Sequence, residues 1–96
     1  MGVTVPRYEG ISDPSEVARI VSERWLPIIR DIPGFVAYYW VDAGDGVMIS
    51  TSVYEHKDAE EETNWRAGQF VAQHLASVIP NPPQITAGEI VAHKAS

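Results

Sequence analysis

The chain has 96 residues, of which 45% are hydrophobic and 21% are charged. This length fits a single domain over residues 1–96, and the composition is typical of a folded protein. The net charge of −6 and the lack of a Lys/Arg cluster argue against nucleic acid or an anionic membrane surface as a partner. The absence of cysteine excludes disulfides, thiolate metal sites and cysteine nucleophiles.

The N-terminal third of the chain predicts a strand followed by a helix. β-Forming residues predict the strand over residues 3–9, and Asp13 is a suitable N-cap for a helix over residues 14–31. We expect a kink near Trp25, because Pro27 cannot donate a helical hydrogen bond. The apolar stripe of this helix is formed by Val17, Ile20, Val21, Trp25, Ile28 and Ile32.

Two strands joined by a tight turn form the clearest predicted element. Aromatic and β-branched residues predict strands over residues 35–41 and 47–54. Residues 43–46 contain an Asp-Gly pair, which supplies the positive φ angles that a hairpin turn requires. Strict alternation places Phe35, Ala37, Tyr39 and Val41 on one face and Val36, Tyr38 and Trp40 on the other.

The C-terminal half predicts a second helix and a last strand. The helix is expected over residues 57–79, ending before the proline-rich residues 80–83, and the strand over residues 85–93. The element order is therefore βαββαβ. Short right-handed connections then give an α+β, ferredoxin-like fold, with an antiparallel sheet and both helices on one face.

The second and third predicted strands are apolar or aromatic on both faces. Helices on one side of the sheet would cover only one of these faces, so the other needs a second cover. A symmetric homodimer is the commonest way to supply it. We therefore expect a homodimer that pairs through its sheets. No apolar stretch is long enough to span a membrane, and no signal-peptide pattern is present, so we expect a cytoplasmic protein.

The second predicted helix carries two polar residues with candidate chemistry. At about 100° per residue, His74 falls on the same stripe as Thr63, Phe70 and Val71, so we expect it to face the sheet. It is either a hydrogen-bonded core residue or a base or donor that lines a cavity. Asn64, at the edge of the stripe, is either an exposed polar residue or a group that orients a carbonyl or stabilises an enolate.

The first helix and the strands add further candidates. Arg24 falls inside the apolar stripe, where it either extends its stem along the core edge or offers a cation to an anionic ligand. Five aromatic residues are candidates for an aromatic pocket, although such residues are more often core and interface. They are Trp25, Tyr38, Tyr39, Trp40 and Tyr54.

Several well-known site motifs are missing from the sequence. There is no HExxH, glycine-rich phosphate loop or GxSxG motif. His56, His74 and His93 lie on three different predicted elements and not at metal-ligand spacing. We therefore predict no metal site.

The segment WLPIIRDIPGFVAYYWV (residues 25–41), followed by DAGDG, resembles the antibiotic-biosynthesis-monooxygenase-like group of dimeric α/β-barrel proteins. RYEG (residues 7–10) and PPQITAGEIVAH (residues 82–93) resemble the same group, and IPGF (residues 32–35) is the most telling part. The resemblance covers essentially the whole chain. It implies a ferredoxin-like protomer and a dimer whose two sheets form a barrel.

For activity, the resemblance implies a small-molecule site between sheet and helices, with cofactor-independent oxidation of an aromatic phenol or quinol. His74 would be base or donor, and Asn64 and Arg24 would orient or stabilise the substrate anion. Tyr38, Trp40, Tyr54 and Phe70 would form the pocket. Haem-degrading relatives use an Asn on the first strand with a Trp and a His on the second helix.

The present chain has Trp65 and His74 but no first-strand Asn, and Trp65 is predicted to point away from His74. These departures argue against haem degradation, and no cofactor is expected. The alternative is a non-catalytic ligand-binding or stress-associated dimer in which His74 is structural.

Overall fold

A computed structural model of the protein, which describes residues 1–95, contains a four-stranded antiparallel sheet in the order β2-β3-β1-β4. The strands are β1 (Gly2–Tyr8), β2 (Phe35–Gly44), β3 (Val47–Tyr54) and β4 (Gln84–Glu89). β1 lies between β3 and β4, and β2 pairs with β3 through the hairpin. The predicted α+β, ferredoxin-like fold is confirmed.

Each of the two helical segments contains a π-helical turn. The first segment consists of α1 (Pro14–Ile20), a π-turn (Val21–Trp25) and α2 (Leu26–Ile29). The second consists of α3 (Lys57–Phe70) and a π-turn (Val71–Leu75). The kink expected near Trp25 therefore takes the form of a π-turn that ends just before Pro27.

Local hydrogen bonds explain where these segments begin and how the first π-turn closes. The Asp13 carboxylate accepts from the backbone N–H of Glu16 at 3.2 Å, which is the predicted N-cap. The N–H of Leu26 donates to the carbonyl of Val21, five residues earlier, instead of four as in an α-helix. Each π-turn therefore holds one extra residue.

That extra residue shifts the buried face of each helical segment by one position. In the first segment Ile29 is 1% exposed, whereas the predicted core residue Ile28 is only half-buried. In the second, Leu75 is 1% exposed, and His74 is exposed. The prediction assumed a uniform α-helical spacing of about 100° per residue. It therefore assigned the buried position one residue too early, to Ile28 instead of Ile29 and to His74 instead of Leu75.

A β-bulge near the start of β2 changes the predicted faces of that strand. The register with β3 shifts between Phe35 and Ala37. Phe35 consequently packs against the core, and Val36 is exposed, which reverses the prediction for these two residues. The hairpin turn is as predicted, with Asp45 at a φ of 54° between two glycines with positive φ.

The core lies between one face of the sheet and the two helical segments. Its buried residues are Tyr8, Ile11, Val17, Ile20, Val21, Trp25, Ile29, Ile32, Met48, Phe70, Leu75 and Ile79. The opposite face of the sheet carries no helix. Tyr39 is 60% exposed there and Val41 is 46% exposed, beside the half-buried Ile49 and Val53. A broad apolar sheet face is therefore uncovered in the single chain.

Candidate functional site

A cavity of about 40 Å³ lies between the sheet and both helical segments. Its aromatic lining residues are Tyr8, Trp25, Tyr38, Trp40 and Phe70, and its hydroxyl-bearing lining residues are Thr4, Ser50, Ser52 and Thr63. The remaining lining residues are Pro6, Val21, Asn64, Ala67, Val71 and Leu75. Both π-turns contribute to the wall, through Val21, Trp25, Val71 and Leu75.

The aromatic residues form two contacting groups around the cavity. On the sheet side, the rings of Tyr8 and Trp40 have centroids 5.4 Å apart. On the helix side, Trp25 lies 5.2 Å from Phe70 and 6.4 Å from Tyr38, the latter in an edge-to-face arrangement. Distances of this size are those of favourable aromatic pairs. The side chains are therefore held in place around the cavity rather than free to collapse into it.

The hydroxyl groups of the cavity are unusual because they are buried. Among the described residues, the polar side chains classed as buried are Thr4, Ser50, Ser52 and Thr63, and all four line the cavity. Thr63 donates to the Ala59 carbonyl at 2.8 Å, and Thr4 donates to the Glu60 carboxylate at 3.2 Å. These hydroxyls therefore form the polar part of an otherwise apolar and aromatic cavity wall.

Two buried donors have no hydrogen-bonding partner among residues 1–95, namely the indole N–H of Trp40 and the hydroxyl of Tyr54. Trp40 lines the cavity, whereas Tyr54 is fully buried and is not among the lining residues. A buried donor without an acceptor costs about 1–3 kcal/mol. Such donors in a folded protein require an explanation, and a ligand or an ordered water provides one.

The cavity tyrosines are held in the neutral form. Burial raises the pKa of Tyr38 strongly, and a hydrogen bond with Ser50 opposes this to a smaller extent. Burial also raises the pKa of Tyr8. Both phenols are therefore protonated near pH 7, and they act there as hydrogen-bonding groups and not as bases.

Five of the predicted site and pocket residues line the cavity: Asn64, Trp25, Tyr38, Trp40 and Phe70. The side chain of Asn64 is exposed overall, so it lies at the margin of the cavity. Tyr54 lies in the core beside the cavity, and Tyr39 lies on the opposite face of the sheet. The aromatic pocket is thus formed by most, but not all, of the expected residues.

The predicted positions of His74 and Arg24 are wrong. Both side chains are exposed, and both lie along a shallow surface groove with Arg19 and Gln73. The His74 ring packs against Phe70, with centroids 4.9 Å apart, and does not line the cavity. Both residues lie within π-turns, whose extra residue shifts the buried face. Leu75 is buried instead of His74, and Trp25 is buried as predicted whereas Arg24 beside it is exposed.

The lining residues, taken from the described part of the chain, include no His, Asp, Glu, Lys or Arg. The cavity therefore offers hydrogen bonds and aromatic surface but no charged group. Trp65 is 62% exposed and also lies outside the cavity. It borders a surface groove that His74 also borders.

Within residues 1–95, no group of three or more His, Cys, Asp or Glu side chains is placed to hold a metal ion. The helices of the same region are all too short or too polar to cross a membrane.

Some lining residues were not predicted as site residues, namely Thr4, Tyr8, Ser50 and Ser52. A signal for two of them exists in the sequence. The side chains of β3 alternate between the two faces of the sheet, and the buried face carries Met48, Ser50, Ser52 and Tyr54. Two serine hydroxyls therefore interrupt an otherwise apolar row. Interrupted apolar faces of this kind indicate a polar requirement inside the core.

The chain was compared with known proteins at the level of sequence and of structure. No family model matches the sequence, and no curated protein matches it. A protein of unknown function from Nitrosomonas europaea, NE2512, has a similar structure, with a TM-score of 0.80 and 16% identity over 99% of this chain and 93% of that one.

Two enzyme structures are also similar. A monooxygenase from Streptomyces coelicolor, ActVA-Orf6, solved with nanaomycin D, has a TM-score of 0.77 and 16% identity over 99% of this chain and 91% of that one. The cofactor-independent oxygenase SnoaB from Streptomyces nogalater has a TM-score of 0.68 and 17% identity over 98% and 94%. The chain therefore has the fold of the antibiotic-biosynthesis-monooxygenase-like structures, as the resemblance of its sequence predicted.

Proposed function

We propose that this protein binds a planar phenolic or quinol-type molecule in the cavity between the sheet and the helices. The observation that carries the proposal is the combination of five aromatic residues with all of the buried serine and threonine side chains of residues 1–95 around one cavity. Aromatic walls favour a flat ligand, and a few placed polar groups fix its orientation.

The cavity must widen to admit such a ligand. Its volume of about 40 Å³ has room for a few water molecules. A benzene-sized ligand needs on the order of 150 Å³. The helical wall is the part suited to move, because Val71 and Leu75 belong to a π-turn, and Asn64 lies at the exposed margin. π-Turns are irregular segments that are frequent at functional sites.

The finer proposal is that dioxygen oxidises the bound molecule directly, without a cofactor. ActVA-Orf6 and SnoaB, two structures with this fold, are named a monooxygenase and a cofactor-independent oxygenase. A phenol or quinol that has lost a proton is electron-rich, and hydrogen-bond donors around its oxygen stabilise the anion. Asn64 is the predicted catalytic residue that lies at the cavity, so we assign it the orienting and stabilising role. We assign no role inside the cavity to His74.

We further propose that two copies of the chain pair through the uncovered face of the sheet. That face carries Tyr39, Val41, Ile49 and Val53, which are half-buried or exposed in the single chain. A second copy presents the same apolar face, so a symmetric pairing would bury both. The cavity lies on the opposite face, under the helices, and therefore stays separate from this interface.

The alternative is a ligand-binding dimer without turnover. The observation in its favour is the absence of charged residues among the described lining residues, because a base that removes a substrate proton is missing from the cavity wall. Under the enzyme hypothesis, the proton leaves to solvent at the margin where Asn64 lies. The two hypotheses share the binding site and differ only in turnover.

Oxygen uptake with a panel of anthrones and hydroquinones tests the proposal, together with ligand binding measured without oxygen. We expect uptake that Asn64→Ala lowers at least tenfold and that His74→Ala leaves within twofold of wild type, with both variants folded and dimeric. Binding without uptake would replace the enzyme hypothesis with the non-catalytic one. If no member of the panel binds, the proposed function is wrong.

A further inference from the structure

The indole of Trp40, a residue that lines the cavity, carries a buried hydrogen-bond donor. Trp40 lies on β2 directly opposite Ser50 of β3, and its ring packs against Tyr8 with centroids 5.4 Å apart. Its Nε1 atom is buried and has no acceptor among residues 1–95. An indole N–H only donates, so nothing but an acceptor atom can satisfy it.

The neighbouring residues do not supply the acceptor that this indole N–H needs. Ser50 lies directly across from Trp40 on β3, and its hydroxyl does not accept from the indole N–H. The packing of Trp40 on Tyr8 limits rotation of the indole towards other acceptors. The unpartnered N–H therefore belongs to a side chain that lines the cavity and packs on Tyr8.

We propose that Trp40 determines ligand specificity by donating its indole N–H to an oxygen of the bound molecule. The inference rests on the proposed function and deepens it. The favoured ligands are aromatic compounds with a carbonyl or phenolate oxygen at one ring edge, and the matching hydrocarbons are disfavoured. A ligand without that oxygen would leave a buried donor unpartnered, and such losses are what make polar sites selective.

The test uses two ligands of similar shape that differ in one oxygen, 1-indanone and indane. The dissociation constants of both are measured for wild type, Trp40→Phe and Trp65→Phe. The Phe substitution keeps an aromatic ring and removes the donor, and Trp65, which is 62% exposed and outside the cavity, is the matched control. The ratio of the two dissociation constants cancels any general effect on binding.

We expect Trp40→Phe to lower the preference for 1-indanone over indane about tenfold, equivalent to about 1.4 kcal/mol. Trp65→Phe should leave the preference unchanged. In ¹⁵N-labelled wild type, the Trp40 indole resonance should shift with 1-indanone well beyond its shift with indane, which checks the contact without any substitution.

An unchanged preference in Trp40→Phe, or equal shifts of the Trp40 indole resonance with both ligands, would overturn the inference and leave the binding cavity in place. This is also the result expected if an ordered water satisfies the N–H in the complex. If neither ligand binds to wild type, the proposed function fails and the inference fails with it.

Discussion

Deleting one residue from the second π-turn tests why His74 lies outside the cavity. In a regular α-helix through residues 71–75, His74 would face the sheet, and Leu75 and Ile79 would turn outwards. These two residues are 1% and 7% exposed, and exposing a buried leucine or isoleucine costs about 1.5–3 kcal/mol each. The π-turn therefore avoids a loss of about 3–6 kcal/mol.

Deletion of Ala72, which is exposed and lies inside the π-turn, would remove the extra residue and keep Leu75 and Ile79 buried. We expect the free energy of unfolding, from urea denaturation, to stay within about 1 kcal/mol of wild type. The control is deletion of Gln69, an exposed residue of α3, which rotates Phe70 off the buried face. That change should cost about 3 kcal/mol or more. If both deletion variants lost the same free energy of unfolding, the π-turn would not be the cause of the shift in the buried face of the helix.

Three further predictions concern stability and assembly. Burial raises the pKa of Tyr38, so the stability that this shift contributes is complete below the pKa of an unfolded tyrosine, near 10, and is lost as the pH rises above it. Urea denaturation from pH 8 to 11.5 should show this loss of stability. The loss should be smaller in Tyr38→Phe and unchanged in Tyr39→Phe. Tyr54→Phe removes a buried hydroxyl without a partner and should leave stability unchanged or raise it by about 1 kcal/mol, and a loss above 1 kcal/mol would show that the hydroxyl is bonded. If the proposed dimer forms through the uncovered sheet face, Ile49→Glu should convert it to a monomer in analytical ultracentrifugation, whereas Ile85→Glu, 62% exposed on the β4 edge strand, should not.

Local signals in the sequence predicted the order and type of the elements. The Asp13 cap, the hairpin turn at residues 43–46 and the strand over residues 47–54 depend on neighbouring residues alone, and the structure has all three. The limits of the helices and of the last strand were less accurate. β4 ends at Glu89, before the predicted residue 93, because end residues depend on pairing partners that composition does not identify.

Periodicity predicted the site only up to the first irregularity in each element. It placed Phe70 and Asn64 at the cavity, since both precede the second π-turn. It misplaced His74 and Arg24, which lie within the two π-turns, where the inserted residue shifts the buried face. The bulge beside Val36 had the same effect on β2. None of these irregularities has a reliable local signal, apart from Pro27 after the first π-turn.

The cavity itself was beyond prediction from the residues. Its lining comes from β1, β2, β3 and both helical segments, so it exists only through tertiary packing. The sequence does indicate that the core contains polar groups, because Ser50 and Ser52 lie on the buried face of β3.

Mapping of a bound planar phenol by NMR tests the central claim most directly. In a titration of ¹⁵N-labelled protein with 1-naphthol, we predict the largest shifts at the Trp40 indole and at the backbone amides of Asn64 and Val71, which surround the cavity. Shifts concentrated at Arg24 and His74 would place the ligand in the surface groove instead and would contradict the account.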